Sequence, residues 1–259
     1  MSEALIEFRG VRKAFGPKVI YAHLDLQVRR GKVLCIVGGS GVGKSVMLKM
    51  LIGLLKADRG SITFDGDEVT KMNARQLSVV RQRVAMLFQG GALFDSIDVR
   101  DNVAYGLEEH FRDKMTKQEM DERVAWALEL VGLPGVQGMW PSDLSGGMKK
   151  RVALARAIAV RPEVVLYDEP TTGLDPINTA RVNHLIVGLQ RKLNITSIVV
   201  THDMKSAFTI ADDFAMVQGG RIIAQAPAEE FRASTDPRVH DFIEGIAPVE
   251  EDVETLLQA

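Results

Sequence analysis

Short runs of consecutive apolar residues divide the chain and predict the strands of a parallel sheet. Four such runs span residues 33–37, 84–88, 164–167 and 198–201. They are continuously apolar rather than alternating, as expected for strands covered on both faces. Polar or glycine-rich sequence follows each run directly. Because open α/β sheets bind ligands at the carboxyl ends of their strands, we expect these four ends to meet at one crevice.

A different periodicity occupies the sequence between the second and third runs. Residues 120–131 place apolar side chains on one helical face and are followed by helix breakers. The apolar positions are Val124, Ala127, Leu128 and Val131, and the breakers are Gly132, Pro134 and Gly135. The pattern predicts a helical subdomain of about residues 99–156, inserted into the sheet, with a second helix starting at Ser145. Residues 228–232 predict a further short helix near the end of the chain.

Composition narrows the class of protein. With 259 residues, 46% hydrophobic and 25% charged, the chain is typical of an α/β globular protein with room for an inserted subdomain. A formal net charge of −2 argues against coating nucleic acid. The single cysteine, Cys35, lies in a predicted strand and is interpreted as a core residue. No apolar run approaches the roughly 20 residues that cross a bilayer, so we expect a cytosolic protein or one that docks on a membrane through a partner.

The first run leads into a complete G-x-x-x-x-G-K-[ST] loop at residues 38–45, and an apolar helix follows. Strand, glycine loop and helix form an arrangement in which backbone N–H groups and the helix dipole face phosphate. Lys44 is expected to reach the β- and γ-phosphates of ATP, and Ser45 to bind Mg²⁺. The remaining predicted ATP-binding residues of this segment are Gly38, Gly39, Ser40, Gly41, Val42, Gly43 and Val46.

The other three strand ends carry candidate catalytic and metal-binding groups. Asp168 is expected to hold Mg²⁺, and Glu169 to act as the general base on the attacking water. Taken alone, Gln89 would be an ordinary polar strand end and His202 a structural histidine. Its place after a strand and before Asp203 makes His202 a candidate γ-phosphate contact, and Gln89 is kept as a candidate Mg²⁺ ligand.

A second phosphate-binding signature, Leu-Ser-Gly-Gly-Met, spans residues 144–148. Ser145 is predicted to cap the helix that follows, while Gly146 and Gly147 would let a phosphate approach its N–H groups. The basic residues Lys149, Lys150, Arg151 and Arg156 are interpreted mainly as a solvated helix face. Since the loop at residues 38–45 is expected to hold the ATP of its own chain, the second signature predicts that two copies clamp ATP between them.

Together these motifs resemble the nucleotide-binding domain of ABC transporters over residues 1–245, leaving residues 246–259 as a C-terminal tail. The resemblance implies a P-loop NTPase with a RecA-like parallel-sheet core, an N-terminal β subdomain and the inserted helical subdomain. Residues 38–45 match Walker A, 164–168 Walker B, 144–148 the signature motif and 173–175 the D-loop. Glu169 takes the place of the catalytic glutamate, Gln89 of the Q-loop and His202 of the switch histidine. Phe15 fits the aromatic residue that stacks on adenine; Tyr21 is a weaker candidate, and either could belong to the core.

Met148 departs from the usual glutamine at the fifth signature position, which removes a polar contact but keeps the Ser-Gly-Gly anion site. The same signature, with residues 43–49 and 89–96, is similar to the ATPases of Mla and Mce lipid transporters. That similarity implies a homodimer on the cytoplasmic face of the inner (plasma) membrane, coupled to a permease and a Mce-domain protein that handle phospholipid or another hydrophobic molecule. It also implies that a small STAS-type protein binds near the C-terminus.

Three alternatives stay open at this point. The first is an ABC ATPase of translation or DNA repair, although tandem domains and long heptad insertions are absent from the sequence. The second is the ATPase of an importer for a polar solute. The third is a nucleotide sensor that does not hydrolyse ATP, which the presence of Lys44, Asp168, Glu169 and His202 opposes.

Overall fold

In the computed structural model, which describes residues 4–246, an antiparallel sheet forms the N-terminal part of the chain. Its strands are β1 (Ala4–Phe15), β2 (Lys18–Arg29), β4 (Arg59–Phe64) and β5 (Asp67–Glu68), in the order β2-β1-β4-β5. In β2 the buried residues Leu24, Leu26 and Val28 alternate with exposed polar ones. This period of two is the pattern of a strand with one face on the core.

A six-stranded sheet forms the centre of the fold. Its strands are β3 (Val33–Val37), β6 (Val84–Leu87), β7 (Val164–Asp168), β8 (Thr196–Val200), β9 (Asp213–Gln218) and β10 (Arg221–Pro227), in the order β10-β9-β3-β8-β7-β6. The five strands from β9 to β6 are parallel, and β10 pairs antiparallel with β9. Every residue of β3, β7 and β8 is buried, as the apolar runs in them predict. Strand β8 starts two residues before its predicted run, at Thr196, and ends at Val200, before Thr201.

The second apolar run differs from its prediction. Strand β6 ends at Leu87, before Phe88, and its central residues Ala85 and Met86 are only partly buried. The reason is its place in the sheet, because β6 is the edge strand and has a neighbour on one side only. The prediction that residues 84–88 form a strand buried on both faces is therefore wrong, whereas it holds for the central strands.

Helices cover the sheet and build the inserted unit. They are α1 (Lys44–Leu51), α2 (Ala74–Arg83), α3 (Val99–Phe111), α4 (Lys117–Leu130), α5 (Gly146–Ala159), α6 (Pro176–Leu193), α7 (Met204–Ile210), α8 (Ala228–Arg232) and α9 (Pro237–Glu244), with 3₁₀ turns at Val69–Lys71 and Pro141–Asp143. A capping box of Thr116 and Glu119 starts α4. Its predicted apolar face is buried, with Val124 and Leu128 fully inaccessible. Helix α8 has the bounds that the sequence predicts.

Two hydrophobic cores lie on opposite faces of the central sheet, and alternate residues of β3 contribute to each. Cys35 packs in the core that α3, α4 and α5 share. Leu34 and Ile36 pack in the other core, against α1 and the antiparallel sheet. Burial on both faces holds the central sheet in place, and so it sets the position of the carboxyl ends of its strands. The expectation of a tail at residues 246–259 lies, beyond Ile246, outside the described residues.

Candidate nucleotide-binding site

A cavity of about 340 Å³ opens at the carboxyl ends of the central strands. It is lined by Ser40, Gly41, Gly43, Lys44, Ser45, Val46, Gln89, Glu169, Val200 and His202. These residues come from the segments that follow β3, β6, β7 and β8. The four strand ends therefore meet at one crevice, as the apolar runs predict, and Val200, the last residue of β8, is added to the predicted set.

The loop after β3 requires glycine where its backbone turns back. Gly43 precedes α1 with φ of 104°, and a Cβ there would lie 2.4 Å from Cγ2 of Ile20. Gly38 has φ of 148°, and its Cβ would lie 2.4 Å from the carbonyl oxygen of Val217. Because Gly43 is the N-cap and offers no side chain to α1, the first N–H groups of this helix have no side-chain cap. Uncapped N–H groups at a helix start form an anion-binding site.

Lys44 lies across this loop. Its ammonium donates to the carbonyl oxygens of Gly38 at 2.8 Å and Gly39 at 2.9 Å. Burial lowers the pKa of Lys44, and the carboxylates of Glu169 and Asp168 oppose that shift. The ammonium is thus held at the loop by carbonyl dipoles and two nearby negative charges, where a phosphate would meet a desolvated positive charge.

Two side chains whose oxygens could bind a metal ion meet between α1 and β7. The hydroxyl of Ser45 donates to Oδ1 of Asp168 at 2.7 Å, and Asp168 is buried at the end of its strand. The exposed side chain of Gln89 lines the same cavity. Hydroxyl, carboxylate and amide oxygens are the hard ligands that Mg²⁺ prefers, and Mg²⁺ in such sites takes its other ligands from water and substrate phosphates. The chemistry of this donor set therefore fits Mg²⁺.

Glu169 is held in a strained backbone conformation beside the cavity. Its φ is 51°, in the left-handed region, which costs a non-glycine residue roughly 1–3 kcal/mol. Its N–H donates to the carbonyl oxygen of Val200 at 2.9 Å. One carboxylate oxygen lies 3.0 Å from Nδ1 of His202, and the other accepts from the hydroxyl of Thr172 at 3.2 Å. The carboxylate is therefore fixed from two sides, and strain of this kind concentrates at functional sites.

Thr172 is a residue that the sequence did not single out. The only available signal was its position three residues after Glu169, a spacing at which a hydroxyl can reach back within one turn. Its contact with Glu169 depends on the strained turn, which sequence patterns do not reveal.

The second signature lies outside this cavity. Ser145 caps α5, its hydroxyl accepting from the N–H of Met148 at 3.3 Å. Ser145 and Gly146 are exposed, and a Cβ on Gly146 would meet open space. Gly147 is buried, and a Cβ there would lie 2.9 Å from the side chain of Asn178 on α6. Within one described chain, residues 144–148 do not line the crevice, so the structure keeps the two phosphate-binding signatures apart.

The interpretation of the basic residues after this signature as a solvated face is wrong for three of the four, Lys150, Arg151 and Arg156. Lys150 is buried and donates to two carbonyl oxygens that follow β7. Arg151 donates to two carbonyl oxygens after α4, and Arg156 to that of Gly91 while lying over the ring of Phe94. The cause is the position of α5 in the fold. Backbone carbonyl groups of neighbouring segments surround this helix, and the sequence of α5 alone does not indicate them.

The two aromatic candidates separate in the structure. Phe15, at the end of β1, is 46% exposed, and its ring centroid lies 5.1 Å from Nζ of Lys13. It does not line the cavity within the described chain, so stacking on adenine stays a prediction. Tyr21 is fully buried, so it is a core residue and not a stacking platform.

Comparison with known proteins places this geometry in a family. A family model described as ABC transporter matches residues 21–172, more than half of the chain. The chain belongs to the ABC transporter family. It is 42% identical to the intermembrane phospholipid transport system ATP-binding protein MlaF of Haemophilus influenzae, over 95% of this chain and 92% of that protein. It is 39% identical to the probable ribonucleotide transport ATP-binding protein mkl of Mycobacterium leprae, over 98% of this chain and 74% of that protein.

A solved structure supports the same assignment. The ATP-binding cassette MJ0796, in a dimeric post-hydrolysis state bound to ADP and Pi, superposes with a TM-score of 0.79 at 27% identity. The match covers 86% of this chain and 98% of that one. The predicted fold class and the predicted ATPase activity are therefore confirmed: the chain is an ATP-hydrolysing subunit with the ABC fold. Among the helices within residues 4–246, none is long and apolar enough to span a bilayer.

Proposed function

We propose that two copies of this chain close around two ATP molecules and that hydrolysis reopens them, driving a membrane permease that moves phospholipid. One observation carries the dimer. The Walker loop, Gln89, Glu169 and His202 line one cavity, while the exposed Ser145 and Gly146 of the same chain do not. A second copy related by a two-fold axis would bring its signature to this cavity and receive the equivalent contact in return.

The residues of the crevice then take distinct roles. The loop N–H groups and Lys44 bind the phosphates. Ser45, Asp168 and Gln89 would hold Mg²⁺, which would neutralise charge on the phosphate oxygens. Glu169 accepts a proton from the attacking water as oxygen adds to the γ-phosphorus and the bond to ADP breaks. His202, 3.0 Å from the carboxylate, keeps Glu169 in place and contacts the γ-phosphate.

The signature of the partner copy completes the site. Ser145, Gly146 and Gly147 would offer their hydroxyl and N–H groups to the γ-phosphate at the positive end of α5. Because both copies contact the γ-phosphate, ATP holds the dimer together and its cleavage removes the shared group. The dimeric state of MJ0796 with ADP and Pi supports this arrangement. We retain residues 1–245 as the ATP-binding domain and about 99–156 as its helical subdomain.

The substrate and partners are proposed from the relatives and from one surface. MlaF of Haemophilus influenzae, 42% identical, is named for phospholipid transport. Beside the Gln89 segment, the exposed rings of Phe94 and Tyr105 lie 4.8 Å apart and offer an apolar contact for a permease helix. We propose a peripheral position on the cytoplasmic face of the inner membrane, with a Mce-domain protein and a STAS-type protein in the complex and no nucleic acid.

A polar solute is the second candidate substrate, because the relative mkl is named for ribonucleotide transport. Reconstitution of the ATPase with its permease separates the two. Phospholipid transport predicts ATP-dependent movement of a fluorescent phospholipid between vesicles and acceptor protein. ATP-dependent uptake of labelled ribonucleotide, with no lipid movement, would favour the second candidate instead.

Dimerisation is tested with a chain that binds ATP but does not hydrolyse it. Glu169→Gln should form dimers with ATP and Mg²⁺ in sedimentation velocity, because the γ-phosphate persists. Adding Ser145→Arg should leave it monomeric, since the longer charged side chain would fill the partner's phosphate contact. Gln118→Arg adds the same charge at an exposed position of α4 and should still dimerise. Equal dimerisation of the Ser145→Arg chain would contradict the proposal.

A further inference from the structure

Lys150 makes a contact that the proposed mechanism does not use. It is a buried lysine, 9% exposed, on the second turn of α5. Its ammonium donates to the carbonyl oxygens of Pro170 at 2.9 Å and Thr172 at 2.5 Å. In the described chain it forms no ion pair with a carboxylate. A desolvated ammonium satisfied only by backbone oxygens ties two segments together at a fixed distance.

The tied segment is the turn that carries Glu169. The N–H of Thr172 donates to the carbonyl oxygen of Glu169 at 3.3 Å, and its hydroxyl donates to the Glu169 carboxylate at 3.2 Å. Lys150 therefore holds the carbonyl of the residue whose hydroxyl holds the catalytic carboxylate. Burial lowers the pKa of Lys150 and the charge of Glu169 opposes that shift, which agrees with their proximity.

The other end of the tie is the signature helix. Ser145 is the N-cap of α5, and Lys150 lies five residues further along the same helix. In the proposed dimer, Ser145 contacts the ATP of one site while Glu169 of the same chain acts at the other. A rigid connection from α5 to the turn after Glu169 would then join the two sites through a single chain.

We propose that Lys150 is a positioning residue: it sets the Glu169 carboxylate according to where the signature helix of the same chain sits, and so couples hydrolysis at the two ATP sites. The proposal rests on the proposed ATP-bound dimer. When the signature engages ATP at one site, α5 is fixed, and through Lys150 the turn at 169–172 is fixed at the other. Without the ammonium, the strained turn is free to relax and the carboxylate loses its alignment.

Substitution of Lys150 separates positioning from binding. Lys150→Met keeps most of the side-chain volume and removes both hydrogen bonds. Because misplacement of a catalytic group by about 1 Å costs on the order of 100-fold, we expect kcat for ATP to fall roughly 10–100-fold. KM for ATP and the affinity for a fluorescent ATP analogue should change less than about twofold, since the Walker loop is untouched. The Hill coefficient for ATP should fall towards one. Lys150→Arg, which can donate to both carbonyls, should recover most of kcat.

Two controls make the result interpretable. Lys149→Met removes a charge from the neighbouring, half-buried position, whose ammonium donates no hydrogen bond within residues 4–246; it should keep the kcat and Hill coefficient of the parent chain. Adding Lys150→Met to Glu169→Gln should leave ATP-driven dimerisation intact. If Glu169→Gln alone does not dimerise, the proposed function fails. If it dimerises but Lys150→Met keeps the parent kcat and Hill coefficient, or loses them without recovery by Lys150→Arg, the role of Lys150 is refuted.

Discussion

The Walker loop and the signature helix are two proposed phosphate sites that are built from the same parts but surrounded differently. Each places glycines at the start of a helix, where N–H groups can meet an anion. Around the Walker loop, Lys44 and Glu169 line one cavity, and the buried Asp168 accepts a hydrogen bond from Ser45 at its edge. Around the signature, the exposed Ser145 and Gly146 face open space. The difference teaches that the Walker loop has candidate catalytic groups beside it in its own chain, whereas the signature has none in the described chain, which is why the proposed dimer brings the two together.

Mixing two inactive chains is the strongest way to break this comparison. In one chain Lys44→Met removes the ammonium that we propose binds phosphate, and in the other Ser145→Arg blocks the proposed signature contact. Each variant chain on its own should hydrolyse ATP at least about 100-fold more slowly than the parent, as expected when a group that stabilises the transition state is lost. In a mixed dimer, the intact loop of the second chain meets the intact signature of the first. The mixed dimer therefore has one site with both an intact loop and an intact signature. Its activity should be at least about tenfold above that of either variant chain alone.

The measurement is phosphate release from heterodimers isolated with two affinity tags. The matched control pairs Lys44→Met with Gly146→Arg in the same chain, then mixes it with an otherwise unchanged chain. There the unchanged loop meets a blocked signature, and the unchanged signature meets a loop without its lysine. Activity from this control, or none from the first mixture, would mean that signature and loop act within one chain.

The helical subdomain offers a second contrast, because its core supports the signature but not the Walker loop. Leu128 on α4 is fully buried in the core shared with α5. Leu128→Ala should lower the free energy of unfolding by about 2–5 kcal/mol, as large-to-small core substitutions do. It should also weaken ATP-driven dimerisation in the Glu169→Gln background.

Leu128→Ala should leave the binding of one ATP analogue to the monomer nearly unchanged. The reason is that the Walker loop packs against the core on the opposite face of the central sheet. Urea denaturation gives the stability, and fluorescence titration gives the binding. Leu54→Ala truncates a leucine that is 49% exposed and should alter neither quantity by much. An equal loss of monomer binding and dimerisation in Leu128→Ala would show that the two regions do not act separately.

The central strands could be predicted from the sequence because each contains a continuous apolar run. A continuous apolar run such as residues 33–37 is buried on both faces whichever helices cover it. The face of α4 with Val124 and Leu128 was readable for a similar reason, since the period of 3.6 is local. The edge strand β6 was not, because its exposure depends on having only one neighbour in the sheet.

The candidate site divides along the same line. Residues of the loop, Glu169 and His202 follow strands, so their meeting in one cavity follows from parallel topology. Lys150 and Thr172 do not, because their roles depend on which carbonyl and carboxylate lie opposite in space. From sequence alone, a lysine on a helix is predicted to be solvent-exposed, because the segment that packs against it in the fold is not known.

The smallest expected effect concerns Phe15, whose proposed contact with adenine does not depend on the partner's signature. Its ring is 46% exposed at the end of β1. If adenine stacks on it, Phe15→Ala should weaken ATP binding to the monomer by roughly 1–3 kcal/mol, as for other base–aromatic contacts. Phe15→Trp should retain binding because it preserves the aromatic face, and Val19→Ala, which truncates another exposed apolar residue nearby, serves as the control. Calorimetric titration with ATP and with inorganic triphosphate measures the effect. The loss should appear with ATP alone, since triphosphate has no base to stack, and an equal loss with both ligands would place Phe15 in the support of the loop instead.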